Sequence, residues 1–383
     1  MIKFNRNELA GAFGDIGTDF PLLVAIILAT GLYAPGVLIV FGIMQILTGI
    51  VYKMPMPVQP LKAMAAIVIT QKIAGPVLLG AGLAIGIVMF ILSASGLLDK
   101  IAQWIPKIVI RGIQFGLGMS LCNLALKEYI PSEGGIGFLL AFISFLIIVI
   151  LIDHRKFPAS LLVISLGIFY AIFQNHAFDN VVKSFGFNLP TFILPAKEDI
   201  LKGFLLLAIP QIPLSLGNSI LATRQVSKDL FPDRPPLSIK KIGFTYSIMN
   251  LLVPFMGGIP VCHGSGGMVG HYAFGGRTGG SVIIYGIIYL LIGFFFGKGF
   301  ADIIHVFPLP ILGVILVFEG LSLILLIRDI TDDKRGLVIA IMVGIMAFGL
   351  PYGFIIAMLM GTILYYLPLE METLKNIGKG QSR

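Results

Sequence analysis

Lys62 carries the sharpest chemical implication in the chain. It stands two positions after Pro60 in the apolar stretch MPMPVQPLKAMAAIVI, Met54 to Ile69. A Lys at the centre of a lipid-embedded helix costs roughly 2.5–3.5 kcal/mol. It therefore needs an anionic ligand, a nearby carboxylate, or an interface to which it can snorkel. A second stretch, GGIPVCHGSGGMVGHYAF (Gly257 to Phe274), repeats the Pro-Val pair and follows it with small and polar residues. Gln59, His263 and Ser265 can donate side-chain hydrogen bonds to oxyanion oxygens. Gly264 and Gly266 let backbone N–H groups approach a ligand closely. Small residues also favour tight helix packing, so both uses stay open for the glycines. Cys262 reads as a small packing residue rather than a nucleophile.

Other polar groups lie in apolar surroundings. Asp15 and Asn218 are candidates for a matched intramembrane pair, and Ser215 and Gln211 fall one and two turns before Asn218. Asp15 reads either as a proton acceptor, as the counter-charge to Lys62, or as a hydrogen-bond anchor. Glu319 and Arg111 suit pairing with each other across the chain, and Glu319 also suits proton coupling or charge balance. His154, Arg155 and Lys156 read as a solvated turn, and His176 and His305 as segment ends. His263 and His271 lack further ligands at convincing spacing, so neither a metal nor a cofactor is expected.

These residues need elements to hold them, and composition says which kind. The 383 residues are 57% hydrophobic and 12% charged, with mean hydropathy +0.98. Soluble domains carry about 25% charged residues, which excludes a soluble fold and predicts an all-α polytopic membrane protein. Fourteen segments are expected: 9–30, 34–52, 57–70, 74–97, 107–126, 135–152 and 157–174, then 203–223, 241–256, 262–274, 280–297, 303–327, 336–350 and 352–368. The third and tenth are too short to cross a bilayer, which takes about 20 apolar residues. Both read as half-helices beginning near the midplane.

The two halves repeat. Pro57-Val58 and Pro260-Val261 lie 260 − 57 = 203 positions apart, and Gly14 and Gly217 lie 217 − 14 = 203 apart. Pro106 and Pro308 give 308 − 106 = 202. Seven crossings per repeat turn the second copy upside down, the inverted-repeat arrangement of many secondary transporters. The repeats are expected over 1–174 and 203–370, with a connection at 175–202 and a short cytoplasmic tail at 371–383. With the N-terminus inside, 19 Lys and Arg fall in inside loops and 6 in outside ones. That bias predicts both termini in the cytoplasm, and it accounts for the net charge of +8 without nucleic acid. Paired broken segments point to a transport site between them. Two helix N-termini, each worth about +0.5 charge, plus Lys62 would suit a tetrahedral dianion.

GAFGDIGTDFPLL, MPMPVQPLKAMAAI, IPQIPLSLGNSILATRQV and PVCHGSGGMVGHYAFGGRTGG together resemble the molybdate-transporter branch of the sulfate permease superfamily, over nearly the whole chain. The resemblance implies a core domain of segments 1–4 and 8–11 and a gate domain of segments 5–7 and 12–14. It places substrate between Gln59–Lys62 and Cys262–Gly267, and implies elevator-type transport in the cell (inner) membrane. The chain departs from typical sulfate permeases in its short tail, and in having Asn218 where relatives often place an acid. Expected partners are molybdate or sulfate, the bilayer, a coupling proton and a second copy of the chain. A sulfate carrier and a channel-like anion conductor are the alternatives on this fold. An enzyme built on Cys262 and His263 lacks an acidic orienter, and a nucleobase carrier gives Lys62 no purpose.

Overall fold

The computed structural model describes residues 2–98, 100, 106–151, 159–174 and 185–367. The expected turn at His154–Lys156, His176 and the tail at 371–383 lie outside these residues.

The first segment is two helices, α1 (Arg6–Ala12) and α2 (Ile16–Thr30), broken at Phe13–Asp15. After α3 (Ala34–Tyr52) comes a three-residue strand, β1 (Val58–Pro60), and then the half-helix α4 (Lys62–Gln71). The first half continues with α5 (Gly75–Ser95), α6 (Lys107–Leu124), α7 (Gly134–Leu151) and α8 (Ala159–Gln174). In the second half α9 runs Lys197–Leu230, α10 Ile239–Leu252, strand β2 Val261–His263 and half-helix α11 Ser265–Ala273. Helices α12 (Gly280–Val306), α13 (Leu309–Ile324), α14 (Lys334–Gly349) and α15 (Gly353–Tyr366) complete it. Counting α1 with α2 and each strand with its half-helix, fourteen segments result.

Several boundaries differ from expectation, among them the end of α9 at Leu230 instead of 223. Helix α9 begins at Lys197, inside the expected connection. At 34 residues it is roughly 51 Å long, well beyond a hydrocarbon core of about 30 Å. Pro210 and Pro213 lie within it, and their missing N–H groups and ring clashes loosen it into π-helical turns at Phe204–Ala208 and Ser215–Leu221. Helix α12 runs through the expected loop near Lys298 to Val306, because the Gly-Lys-Gly there leaves its hydrogen bonding intact; the chain breaks before Pro308 instead. Residues 303–306 thus belong to the eleventh segment, not the twelfth.

The strands reveal the symmetry. β1 and β2 pair antiparallel, with Gln59 opposite Cys262, and 262 − 59 = 203 is the sequence-repeat offset. Leu61 N–H donates to the Pro260 carbonyl at 3.2 Å and Gly264 N–H to that of Pro57 at 3.1 Å, two bonds that the same offset interchanges. A pseudo-twofold axis therefore passes through the Gln59–Cys262 pair, and α4 and α11 leave it in opposite senses, as inverted repeats require.

Packing keeps the symmetry. Helix α3 lies along α12, α5 against α9 and α10, and α6 against α13 and α14. The α3–α12 crossing is close because a Cβ on Gly42 would stand 2.6 Å from the Gly286 carbonyl oxygen, and one on Gly286 equally near that of Gly42. Small residues let helices approach this way where lipid supplies no hydrophobic drive between them.

Candidate functional site

Lone strand edges inside a membrane are costly unless every N–H and C=O finds a partner. Two buried amides meet this need. Gln45 on α3 donates to the Val58 carbonyl (2.7 Å) and accepts from Val58 N–H (2.9 Å). Asn250 on α10 does the same for Val261, at 2.7 and 2.9 Å. The strand pair is thus clamped on both outer edges, which fixes where the half-helices begin.

The two helix starts are finished differently. The Gln211 Oε1 accepts from the N–H groups of Ala63 (2.9 Å) and Met64 (3.2 Å), capping α4. Gln211 Nε2 donates to the Ser215 hydroxyl, which meets the Tyr246 hydroxyl at 2.8 Å. Gln211 and Ser215, expected as substrate ligands, are therefore engaged in holding the α4 start. At α11, no described residue accepts from the N–H groups of Ser265, Gly266 or Gly267. This start keeps its donors free and its share of positive dipole unscreened.

Between the two starts lies a cavity of about 370 Å³. Gln59, Lys62, Asn218, His263, Ser265 and Gly266 line it, as do Arg111 and Gln211. Lys62 opens onto this space, with its side chain 34% exposed, and its Nζ lies 3.6 Å from the Glu319 carboxylate on α13. The nearest counter-charge to Lys62 is thus Glu319, while Asp15, the expected counter-charge, and Asp19 also act on it. One expectation is corrected. Glu319 does not pair with Arg111, which grips Asp329 instead. The ammonium faces Glu319 and the cavity.

Asp15 sits at the α1–α2 break, where its two carboxylate oxygens accept from Gln59 Nε2, each at 2.8 Å. The Gln59 amide donor is thereby engaged with Asp15, while the residue also lines the cavity. Gly264 has its N–H in the strand ladder, and it must be glycine because a Cβ would stand 2.4 Å from Gln59 Cδ. At Gly267 a Cβ would stand 2.1 Å from the Asp15 carboxylate, whereas at Gly266 nothing lies within 4 Å. Gly266 thus offers open backbone, and Gly264 offers room. His263 is buried; its Nε2 meets the Thr245 hydroxyl at 2.7 Å, its ring stands edge-on to Tyr52, and its Nδ1 has no partner among the described residues.

Sequence reasoning missed several members. Asp19 is fully buried, with neither carboxylate oxygen hydrogen-bonded among the described residues. Its spacing of one helical turn after Asp15 was a readable signal. Gln45, Asn250, Thr245 and Tyr246 gave none, since amides and hydroxyls in apolar helices are common. Glu8, also missed, is buried and accepts from the N–H groups of Arg277, Thr278 and Ser281, tying α1 to the start of α12. Among the described residues, no group of three or more His, Cys, Asp or Glu is placed to hold a metal ion.

The arrangement can hold a compact anion. One uncapped helix start, the Ser265 hydroxyl, the Asn218 amide and an ammonium converge on one space, with carboxylates behind them to set the charge balance.

Known proteins supply the context. A family model described as molybdate transporter of MFS superfamily matches residues 7–121 and 203–323. Molybdate transporter 1 of Arabidopsis thaliana is 33% identical over 366 residues, spanning 84% of this chain and 80% of that protein. Molybdate transporter 2 of the same plant is 31% identical, spanning 96% and 88%. Among solved structures, the transmembrane domain of the cyanobacterial bicarbonate transporter BicA superposes with TM-score 0.65 at 19% identity, over 94% of this chain and 97% of that one. The murine anion transporter Slc26a9, in its inward-facing state, gives 0.68 at 12% identity, over 100% and 70%. Those likenesses concern the fold: fourteen segments in two inverted repeats.

Proposed function

The chain belongs to the molybdate transporter family, and from that premise we propose that it is a secondary-active carrier of a tetrahedral oxyanion, molybdate by preference. It is an integral membrane protein, and its homologues are transporters, not enzymes. The observation that carries the reading is the convergence of Lys62 with the uncapped start of α11 on one cavity.

In this reading the anion lies against the N–H groups of Ser265, Gly266 and Gly267, with Ser265, Asn218, His263 and Lys62 around it. Gln59, Gln211, Ser215 and Gly264 hold that geometry. The dianion meets a site whose ammonium is already shared with Glu319 and whose floor carries Asp15 and Asp19. Adding two negative charges beside those carboxyls is unfavourable unless one of them takes a proton. Asp15 and Glu319 are the candidates, which makes proton symport the preferred coupling.

Movement follows the resemblance: segments 1–4 and 8–11 slide as a core against a gate of segments 5–7 and 12–14. The close partners α3–α12, α5–α9 and α5–α10 would travel together, while α6, α13 and α14 stay. The Lys62–Glu319 pair spans that seam, so it must break in each cycle. The bias of its loop charges puts both termini in the cytoplasm, and the resemblance puts the protein in the cell (inner) membrane.

Uptake of radiolabelled molybdate into proteoliposomes tests the proposal. Saturable uptake is expected, raised by a proton gradient and lost in Lys62→Ala. An absence of saturable uptake with and without the gradient overturns it, and competition by sulfate of equal strength would reassign the preferred substrate.

A further inference from the structure

Outside the site cavity lies a second one of about 450 Å³, and the two share Arg111, Asn218 and Ala222. Lys107 and Arg111 stand one turn apart on α6 and both hold Asp329, in the 3-10 turn that follows α13. Lys107 Nζ lies 2.8 Å from Oδ2; Arg111 Nε donates to Oδ1 at 2.9 Å and Nη2 to Oδ2 at 2.5 Å. The guanidinium thus grips a pair of oxygens with its fork, the geometry it also offers to tetrahedral oxyanions.

A second feature points the same way. Arg111 Nη1 donates to Gln114 Oε1 at 2.8 Å, which orients that amide. Gln114 is wholly buried, and its Nε2 has no acceptor among the described residues. Gln114 lines neither cavity, so its part is to hold the guanidinium from behind. The group carries two cations and one carboxylate, hence one surplus positive charge. Its members also differ in exposure: the Arg111 side chain is 14% exposed, that of Asp329 39% and that of Lys107 58%. The guanidinium is the fixed member, and the acid and the lysine can both swing away from it.

We propose that Arg111, with Lys107 and Gln114, forms a second oxyanion station at the mouth of the site, where Asp329 is a built-in occupant that an arriving dianion displaces. The proposal rests on the oxyanion reading of the inner cavity and extends it to the route of access. An anion leaving the fork passes Asn218, which faces both cavities, and reaches Lys62. Asp329 keeps the station weak, so the anion moves on instead of lodging there.

Equilibrium dialysis of the purified chain against radiolabelled molybdate separates the two sites. Wild type should bind one anion per chain tightly and a second weakly. Asp329→Asn should tighten the second by at least about tenfold, or ~1.4 kcal/mol, and Arg111→Met in that background should abolish it. Lys62→Ala with Asp329→Asn should keep the mouth site alone. If Asp329→Asn binds as wild type does, the station is refuted while the inner site stands. If Lys62→Ala leaves the tight site intact, the inner reading fails instead. Should Asp329→Asn aggregate on size exclusion, an anomalous map of wild type in millimolar molybdate decides: a molybdenum peak at Arg111 supports the station, and an inner peak alone overturns it.

Discussion

Asn250→Ala removes one jaw of the strand clamp, and its cost can be worked from the two hydrogen bonds that hold Val261. These bonds, at 2.7 and 2.9 Å, disappear in a place where Asn250 is fully buried. One N–H and one C=O are left without partners, at about 1–3 kcal/mol each, so a loss of about 2–6 kcal/mol is expected. That is a large share of the 5–15 kcal/mol by which folded domains are typically stable. Gln45→Ala removes the matching jaw from Val58 and should cost a similar amount. Because both jaws hold one ladder, the double variant should lose less than the sum. Thermal unfolding of the purified variants in detergent reads the stability, and molybdate binding reads the site, which should weaken as the start of α11 loses its anchor. An Asn250→Ala protein with unchanged unfolding temperature and unchanged binding would refute the clamp as the device that sets the site.

Other outcomes follow from the same geometry. Glu8→Ala leaves the buried N–H groups of Thr278 and Ser281 and the part-buried one of Arg277, around the start of α12, without their carboxylate and should cost at least ~2 kcal/mol, read by thermal unfolding. Gly267→Ala drives a methyl into Asp15 and should destabilise by about 1–3 kcal/mol, whereas Gly266→Ala should unfold like wild type and alter anion affinity; equal unfolding temperatures for the two would contradict the placement of the α11 start. Uptake into proteoliposomes should rise as external pH falls, since a proton must accompany the dianion; Asp15→Asn or Glu319→Gln should flatten that profile, and a flat wild-type profile would remove proton coupling.

Much of the fold is legible in the sequence because lipid imposes simple rules. Apolar length locates the segments, and the breaks at Pro57-Val58 and Pro260-Val261 locate the half-helices. The repeat offset of 203 returns as the Gln59–Cys262 pairing, since inverted repeats that meet at a twofold must bring equivalent residues together there. What stays hidden is side-chain commitment across long separations. Gln211 lies 148 positions from the Ala63 N–H that it caps, and nothing local marks it as a cap rather than a ligand. Lys62 reads correctly as needing a partner, but its choice of Glu319 over Asp15 depends on how α4 and α13 face each other. The end of α12 is equally hard to read, because a Gly-Lys-Gly looks like a loop yet carries every N–H a helix needs.

The central claim is tested most directly by locating molybdenum itself. The molybdate-loaded protein should show one dominant anomalous peak between α4 and α11, with anion oxygens about 3 Å from the N–H groups of Ser265 and Gly266 and within reach of Lys62 Nζ. A dominant peak elsewhere, with those N–H groups still facing an empty cavity, would contradict it.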